Sequence, residues 1–460
     1  MKKQSLIIVI FLFFSQILLS QESGILRLSI SEAKEYAINH NKQLRNVRSD
    51  TEIARHRYRE ALSQGLPQIS ANFDYTDFFN YEMEFGMMGG GDIPNIDFTK
   101  LDAGDLEIMK MLSGFISDEP TTIKMNNSAT AQLQVSQLIF SGQYIAGIQI
   151  SKIAQLLANK NLNKTETDIR ESVISSYYTA LITEESIAYL DKNIENLKET
   201  QNQTRALLNA GLIEPIDIDQ IQMSITMIEN TKRAMSRNLE LSHNILRLQL
   251  GLDNHVQIEL TDKIDDIMSD VDVTKLVLQD FVPQNNINYQ LLETQQQMSE
   301  KMIDMESWAY APSIVAAYSY NEKILTTDFD MNPRHLLTFR MSVPIFSSGL
   351  RKSKVDQRKI ELYQVQNSKE MLKDNLLMQE KQLRYNLLSA HEQYISQKEN
   401  VELAKRIYTH TEKKFRYGVA TSLDLTQANS NYLQAETNYI TAVMELLMAK
   451  LSFDKLLNRI

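Results

Sequence analysis

The chain has 460 residues with 14 Gly, 8 Pro and no Cys. The absence of Cys excludes disulfides, thiolate metal sites, Cys nucleophiles and a lipidated N-terminal Cys, and a net charge of −10 disfavours a nucleic-acid partner. Gly and Pro stand at roughly 3% and 2%, against usual values of about 7% and 5%, so long uninterrupted elements are expected instead of several compact α/β domains.

Lys2 and Lys3 precede an apolar run from Leu6 to Leu19. A short positive segment and an apolar core of about 14 residues read as a Sec signal peptide over residues 1–20. The run falls short of the roughly 20 residues that a spanning helix needs; a membrane anchor is the alternative. The remainder, 21–460, reads as a single interlocked domain.

Helical patterns are expected over about 29–65, 217–250, 284–310 and 421–457. Ser29 and Glu32 form a capping box at the first start. No Pro lies within 144–209 or 350–416. Pro in a helix interior costs about 3 kcal/mol and Gly about 1, so each stretch is expected to be one helix of roughly 100 Å. Ile187, Leu190, Ile194, Leu197, Gln201, Thr204 and Leu208 follow a 3-4 alternation. So do Leu376, Leu383, Leu387, Ala390, Tyr394, Val401, Ala404, Tyr408 and Phe415. These are coiled-coil seams.

Four stretches alternate with period two. In Gln68–Tyr75, Ile69, Ala71, Phe73 and Tyr75 share one face, and Gln68, Ser70, Asn72 and Asp74 the other. Similar patterns run over Ala129–Ser136, Ser313–Tyr320 and Leu336–Val343, the last with Arg340 among the polar positions. Each is expected to be a strand of about 8–12 residues, the length of a transmembrane β-strand; a small soluble sheet is the alternative. Between the first two lies a loop, Asp77 to Ser128, with ten acidic residues against Lys100, Lys110 and Lys124. It also carries Met83, Met87, Met88, Met109 and Met111 around Gly89-Gly90-Gly91. A long outer loop is the expected reading; a thioether site for Cu(I) is the other.

The chain repeats itself. Val135-Ser136-Gln137-Leu138-Ile139-Phe140 is echoed by Met341-Ser342-Val343-Pro344-Ile345-Phe346. Gly211-Leu212 with Ile216-Asp217-Ile218 is echoed by Gly418-Val419 with Leu423-Asp424-Leu425. Two structural repeats are expected, about 25–260 and 270–460. Four strands are too few to close a barrel, for which about eight is the usual minimum. Three chains pooling their strands would give twelve. The expected fold is therefore mostly α with a four-stranded β contribution: a long coiled-coil α-barrel plus a shared transmembrane β-barrel.

These elements, with the start Leu28-Ser29-Ile30-Ser31-Glu32-Ala33 and the turns Gly211–Asp217 and Arg416–Asp424, resemble the TolC family of outer-membrane efflux and secretion channels. The resemblance covers nearly the whole mature chain. It implies a homotrimer in the outer membrane lipid with a periplasmic helical tunnel. It also implies docking to a periplasmic membrane-fusion adaptor and an inner-membrane pump of RND or ABC type. The implied role is a passive exit duct of a tripartite efflux or type I secretion system. The alternative is a trimeric structural or adhesive coiled-coil protein without a conduit. On the resemblance, the periplasmic entrance and adaptor contacts fall on Gly211, Asp217, Gly418, Val419, Asp424 and Gln427. Asp424 matches the first aspartate of the family's entrance ring, or is an N-cap of the last helix. The second ring position is Gln427, and Ala420 stands where the family carries a gating arginine.

No catalytic motif is present: no P-loop, no dinucleotide fingerprint and no nucleophile elbow. The seven His are scattered, so no metal site, cofactor or enzyme activity is expected. Carboxylate pairs such as Glu184-Glu185 and Asp265-Asp266 read as helix-surface charge.

Overall fold

The computed structural model describes residues 25–79, 81–85, 121–124, 127–211, 213–325 and 333–460. The expected signal peptide lies outside them, as do Leu212 and the loop residues Met87, Met88, Met109 and Met111. The chain folds as two compact units and crosses from one to the other four times. One contains Met1–His56, Ser151–Glu300 and Lys359–Ile460; the other contains Arg57–Ile150 and Lys301–Arg358.

Two long helices are continuous, as the lack of breakers requires: α3 is Gly142–Asn209 and α8 is Leu350–Arg416. Each ends in a turn followed by a shorter helix, α4 (Pro215–Leu250) and α9 (Ser422–Leu456). In the first unit the seams pack inward. Ile194, Leu197 and Thr204 of α3, and Leu376, Leu387, Tyr408 and Phe415 of α8, are buried. Thr204 tolerates burial because its hydroxyl donates to its own helix, at Thr200 O 2.8 Å away.

The segment expected as one helix over 29–65 is two, α1 (Ile30–His40) and α2 (Lys42–Ser63). Asn41 makes the break. Its side-chain Nδ2 donates to Gln249 O (2.7 Å) and its Oδ1 accepts from Leu44 N (3.0 Å). Those bonds compete with the helical ladder and turn the chain. Gly251 ends α4 against this corner. Its φ is +74°, and a Cβ there would sit 2.4 Å from His40 O, so only glycine fits. The Ser29–Glu32 capping box is formed at the start of α1.

A parallel pair, β1 (Leu26–Leu28) with β6 (Ile258–Leu260), ties the N-terminal segment to the region after α4. Tyr177 of α3 is fully buried beneath it and donates to Leu28 O at 3.0 Å. Burial pushes the Tyr177 hydroxyl well up, helped by Asp262. Short helices α5 (Ile264–Ser269) and α6 (Val273–Val277) follow, then α7 (Ile287–Ser307). The 284–310 expectation is shortened by single 3-10 turns at Pro283–Asn285 and Trp308–Tyr310.

The second unit is built on a four-stranded antiparallel sheet in the order β2-β5-β7-β8: Gln68–Thr76, Ser128–Ser141, Ser313–Leu325 and His335–Ser342. The central strands extend past their alternating cores, to 14 and 13 residues. A separate antiparallel pair, β3 (Glu82–Phe85) with β4 (Thr121–Lys124), belongs to the acidic loop. Beside the sheet, Tyr144 donates to Leu62 O at 2.9 Å, and the Trp308 ring occupies the space that a Cβ on Gly142 would need.

Candidate functional site

The strand register aligns the alternation into continuous rows. Ile69, Val135, Tyr318 and Leu337 are mutual partners across all four strands. Ala71, Leu133, Tyr320 and His335 make the next row on the same face. The other face carries Asn72–Gln132–Asn321, then Ser70–Gln134–Ser319–Leu336, then Gln68–Ser136–Ala317–Thr338, and then Leu138–Val315–Arg340. One face is thus aliphatic and aromatic, the other mainly carboxamide and hydroxyl. The apolar face is bare at both edges: Ile69 is 71% and Phe339 69% exposed. Among the described residues, β2 and β8 each pair on one side only.

The second part of the site is the pair of turns in the helical unit. Gly211 follows α3 at φ +74° and Gly418 follows α8 at φ +71°. Each lies in the left-handed region, where Gly closes a helix end without a steric cost. Asp217 and Asp424 occupy equivalent positions in the helices that follow. Asp217 Oδ2 accepts from Glu214 N (3.1 Å). Asp424 Oδ2 accepts from Thr421 N (2.9 Å) and Thr421 Oγ1 (2.7 Å), while Thr421 Oγ1 accepts from Asp424 N (3.1 Å). Asp424 is therefore part of a complete capping box. Its bonds from the Thr421 backbone and hydroxyl hold the carboxyl below the usual range.

Sequence reasoning missed the residue that joins the two turns. Ser422, nearly fully buried, reaches from the start of α9 to α4. Its hydroxyl bonds to Asp217 Oδ1 and lies 2.7 Å from Gln220 Oε1, so one proton is shared between two acceptors. A contact between residues 205 apart leaves no local signal. Arg416 adds ion pairs to Glu412 (2.8 Å) and, loosely, to Glu199 (4.0 Å).

The turns expose apolar side chains: Val419 (75%), Tyr417 (84%), Leu423 and Ile216. Gln427 is exposed and donates to Asn431 Oδ1 along its own helix at 2.9 Å. Ala420 packs toward a buried cluster containing Leu197, Ile225, Phe415 and Leu425. The structure thus brings Asp217 and the start of α9 together through Ser422, and leaves Gln427 outside that contact.

Asp265 and Asp266 are exposed, as surface charge should be, but that reading of the Glu184-Glu185 pair needs correction. Glu184 bonds to His243 Nε2 (3.1 Å). Glu185 is half-buried, and burial, with Asp265 nearby, raises its carboxyl above the usual range. Among the described residues no group of three or more His, Asp or Glu is placed to hold a metal ion, and no helix is long and apolar enough to cross a membrane.

The sequence matches a family described as "Outer membrane efflux protein" over residues 111–252 and 283–459, more than half of the chain. The chain belongs to that family. Solved channel and outer-membrane protein structures share its fold. CusC, from a study of folding and transmembrane channel formation, superposes with a TM-score of 0.71 at 14% identity, covering 96% of this chain and 95% of that one. The outer membrane protein VceC of Vibrio cholerae gives 0.70 at 12% identity, covering 93% and 95%. The CmeC outer membrane channel of Campylobacter jejuni gives 0.67 at 14%, covering 93% and 85%. Comparison with curated proteins finds no match. The TolC-like fold expected from the two-faced strands and the long helices is the fold of this efflux protein.

Proposed function

We propose that three copies of this efflux protein form the outer-membrane exit duct of a tripartite efflux or type I secretion system. The observation that carries this reading is the sheet of the second unit. Its apolar face has no protein cover among the described residues, and its two edge strands are each half-paired. A bilayer accepts strands only in a closed ring, because unpaired backbone groups cost several kcal/mol each in hydrocarbon. Joining β2 of one copy to β8 of the next, three times, closes twelve strands. The apolar rows then face lipid, and the carboxamide and hydroxyl rows face water.

In this reading the helical unit forms the periplasmic tunnel. The turns at Gly211 and Gly418 offer Val419, Tyr417 and Ile216 to a periplasmic adaptor, which links the duct to an RND or ABC pump. Asp424 and Gln427 stand at the entrance. The duct is passive, and energy comes from the pump. The two-turn arrangement, with an Asp at the same helical position in each, is what an ancestral duplication would leave.

The test is planar-bilayer recording of the full mature protein, purified as its oligomer in detergent. Discrete, stable conductance steps are expected. A folded trimer without any pore would instead support a structural or adhesive protein.

A further inference from the structure

In the helical unit, α3, α4 and α9 enclose a cleft of about 390 Å3 that neither the entrance nor the sheet uses. Its wall is largely apolar: Leu190, Met227, Ile228, Met235, Leu433 and Ile440, with the Tyr189 ring at one side. Four of the hydroxyls that line it bond within their own helices. Ser186 donates to Ile182 O (2.7 Å), Thr231 to Met227 O (3.0 Å), Thr437 to Leu433 O (2.9 Å) and Thr441 to Thr437 O (2.8 Å). Each gives its proton to its own helix, and Ser430 and Gln434 complete the polar part of the wall. One charged side chain lines it, that of Glu436.

We propose that this cleft binds amphiphilic organic monocations, with the methionines, Leu433 and Tyr189 covering the apolar body and the Glu436 carboxylate meeting the positive charge. Apolar pockets with few placed polar groups are the usual form of small-molecule sites. Methionines adapt to irregular guests, and an aromatic face attracts a cation. The reading is independent of the conduit, since every residue used lies in one folded unit.

The groups around Glu436 set how binding depends on pH. Tyr432 on the same helix donates to its carboxylate, Lys405 of α8 brings a positive charge, and Tyr189 of α3 lies near with Glu185 behind it. Burial outweighs these and raises the Glu436 carboxyl above its usual range. A bound cation needs the ionised form, so affinity rises with pH as Glu436 loses its proton and falls as the pH drops through its raised value.

The experiment is a fluorescence titration of the full mature protein in detergent with ethidium, an aromatic monocation. N-phenyl-1-naphthylamine serves as a neutral aromatic control. Saturable ethidium binding is expected to tighten severalfold between pH 5 and pH 8. Glu436→Gln should weaken it about tenfold and flatten the pH profile, while binding of the neutral probe in the cleft changes little. Thr231→Phe, which fills the cleft and keeps the carboxylate, should lose both probes. Absence of saturable ethidium binding, or binding indifferent to both substitutions, overturns the proposal.

Discussion

The two units use the same apolar residue types in opposite ways. In the helical unit Tyr177, Leu246, Leu387, Leu446 and Phe453 are almost completely buried, in two clusters between the helices. In the strand unit Ile69, Phe73, Leu337, Phe339 and Met341 are all more than half exposed. One unit closes hydrophobic cores within a single chain, while leaving Met223, Leu248 and Tyr417 exposed on its surface. The other does not, because a four-stranded sheet buries neither face by itself. A monomer therefore carries one unit with finished cores and one without. In the proposed trimer, lipid and neighbouring strands supply what the second lacks.

Charging the bare strand face should give the largest effect. Phe339→Lys places an ammonium among the rows proposed to face lipid, at about 2–4 kcal/mol per copy near mid-bilayer, and three copies of the proposed ring multiply it. Loss of the proposed trimer from outer-membrane fractions, read on a native gel, is expected. Thr338→Lys, one residue away on the polar face, should leave the oligomer intact on the same gel. Equal tolerance of both would refute the assignment of the two faces.

The finished unit should answer to a different substitution. Leu446 is 1% exposed, and Leu446→Ala removes buried methyl groups and leaves a cavity, at about 2–5 kcal/mol. Its midpoint in a denaturant titration followed by helical circular dichroism should fall accordingly. Leu423→Ala, at an exposed turn position, should leave that midpoint in place. The mutational sensitivity of a leucine thus depends on the unit that holds it and on its place there.

A smaller effect is expected at the tie between the turns. Ser422→Ala leaves Asp217 without its buried donor, at roughly 1–2 kcal/mol. Amide exchange should quicken at the starts of α4 and α9 together, since one hydroxyl holds both. Quickening confined to α9 would show that Ser422 serves only its own helix.

What could be read in the sequence follows the range of each interaction. The long helices were legible because missing Pro and Gly, and apolar residues every three or four positions, are local signals. So were the strands, whose rows in the sheet follow the alternation at Ile69, Val135, Tyr318 and Leu337. The N-cap reading of Asp424 was three residues out: Thr421 is the N-cap, and Asp424 closes the box from the third helical position. Asn41 was missed because a polar residue inside an amphipathic pattern looks like surface until its partner Gln249 is known. The β1–β6 pair was missed because three residues carry no period. Ser422 and the Glu436 cleft depend on contacts between distant helices. Glu185 was misread because burial of a carboxylate in a charged helix is decided by the element packed on it, here near Asp265.

The smallest effect sets the two units against each other in one measurement. Asp424 is exposed, and its bonds from Thr421 hold the carboxyl below the usual range. Its charge, and the stability its cap contributes, are complete above the usual carboxylate range. Both are lost only as pH falls through the depressed folded value. Arg340 lies on the polar strand face and is a cationic side chain. In a threefold duct the first favours cations and the second anions. Asp424→Ala should move the bilayer reversal potential away from cation selectivity, and Arg340→Gln toward it. Both shifts are modest and should shrink as salt rises, because screening acts over about 8 Å at physiological ionic strength. An Asp424→Ala pore with unchanged selectivity makes that residue a cap alone. An Arg340→Gln pore with unchanged selectivity removes the polar strand face from the ion path, and with it the reason to place that face inward.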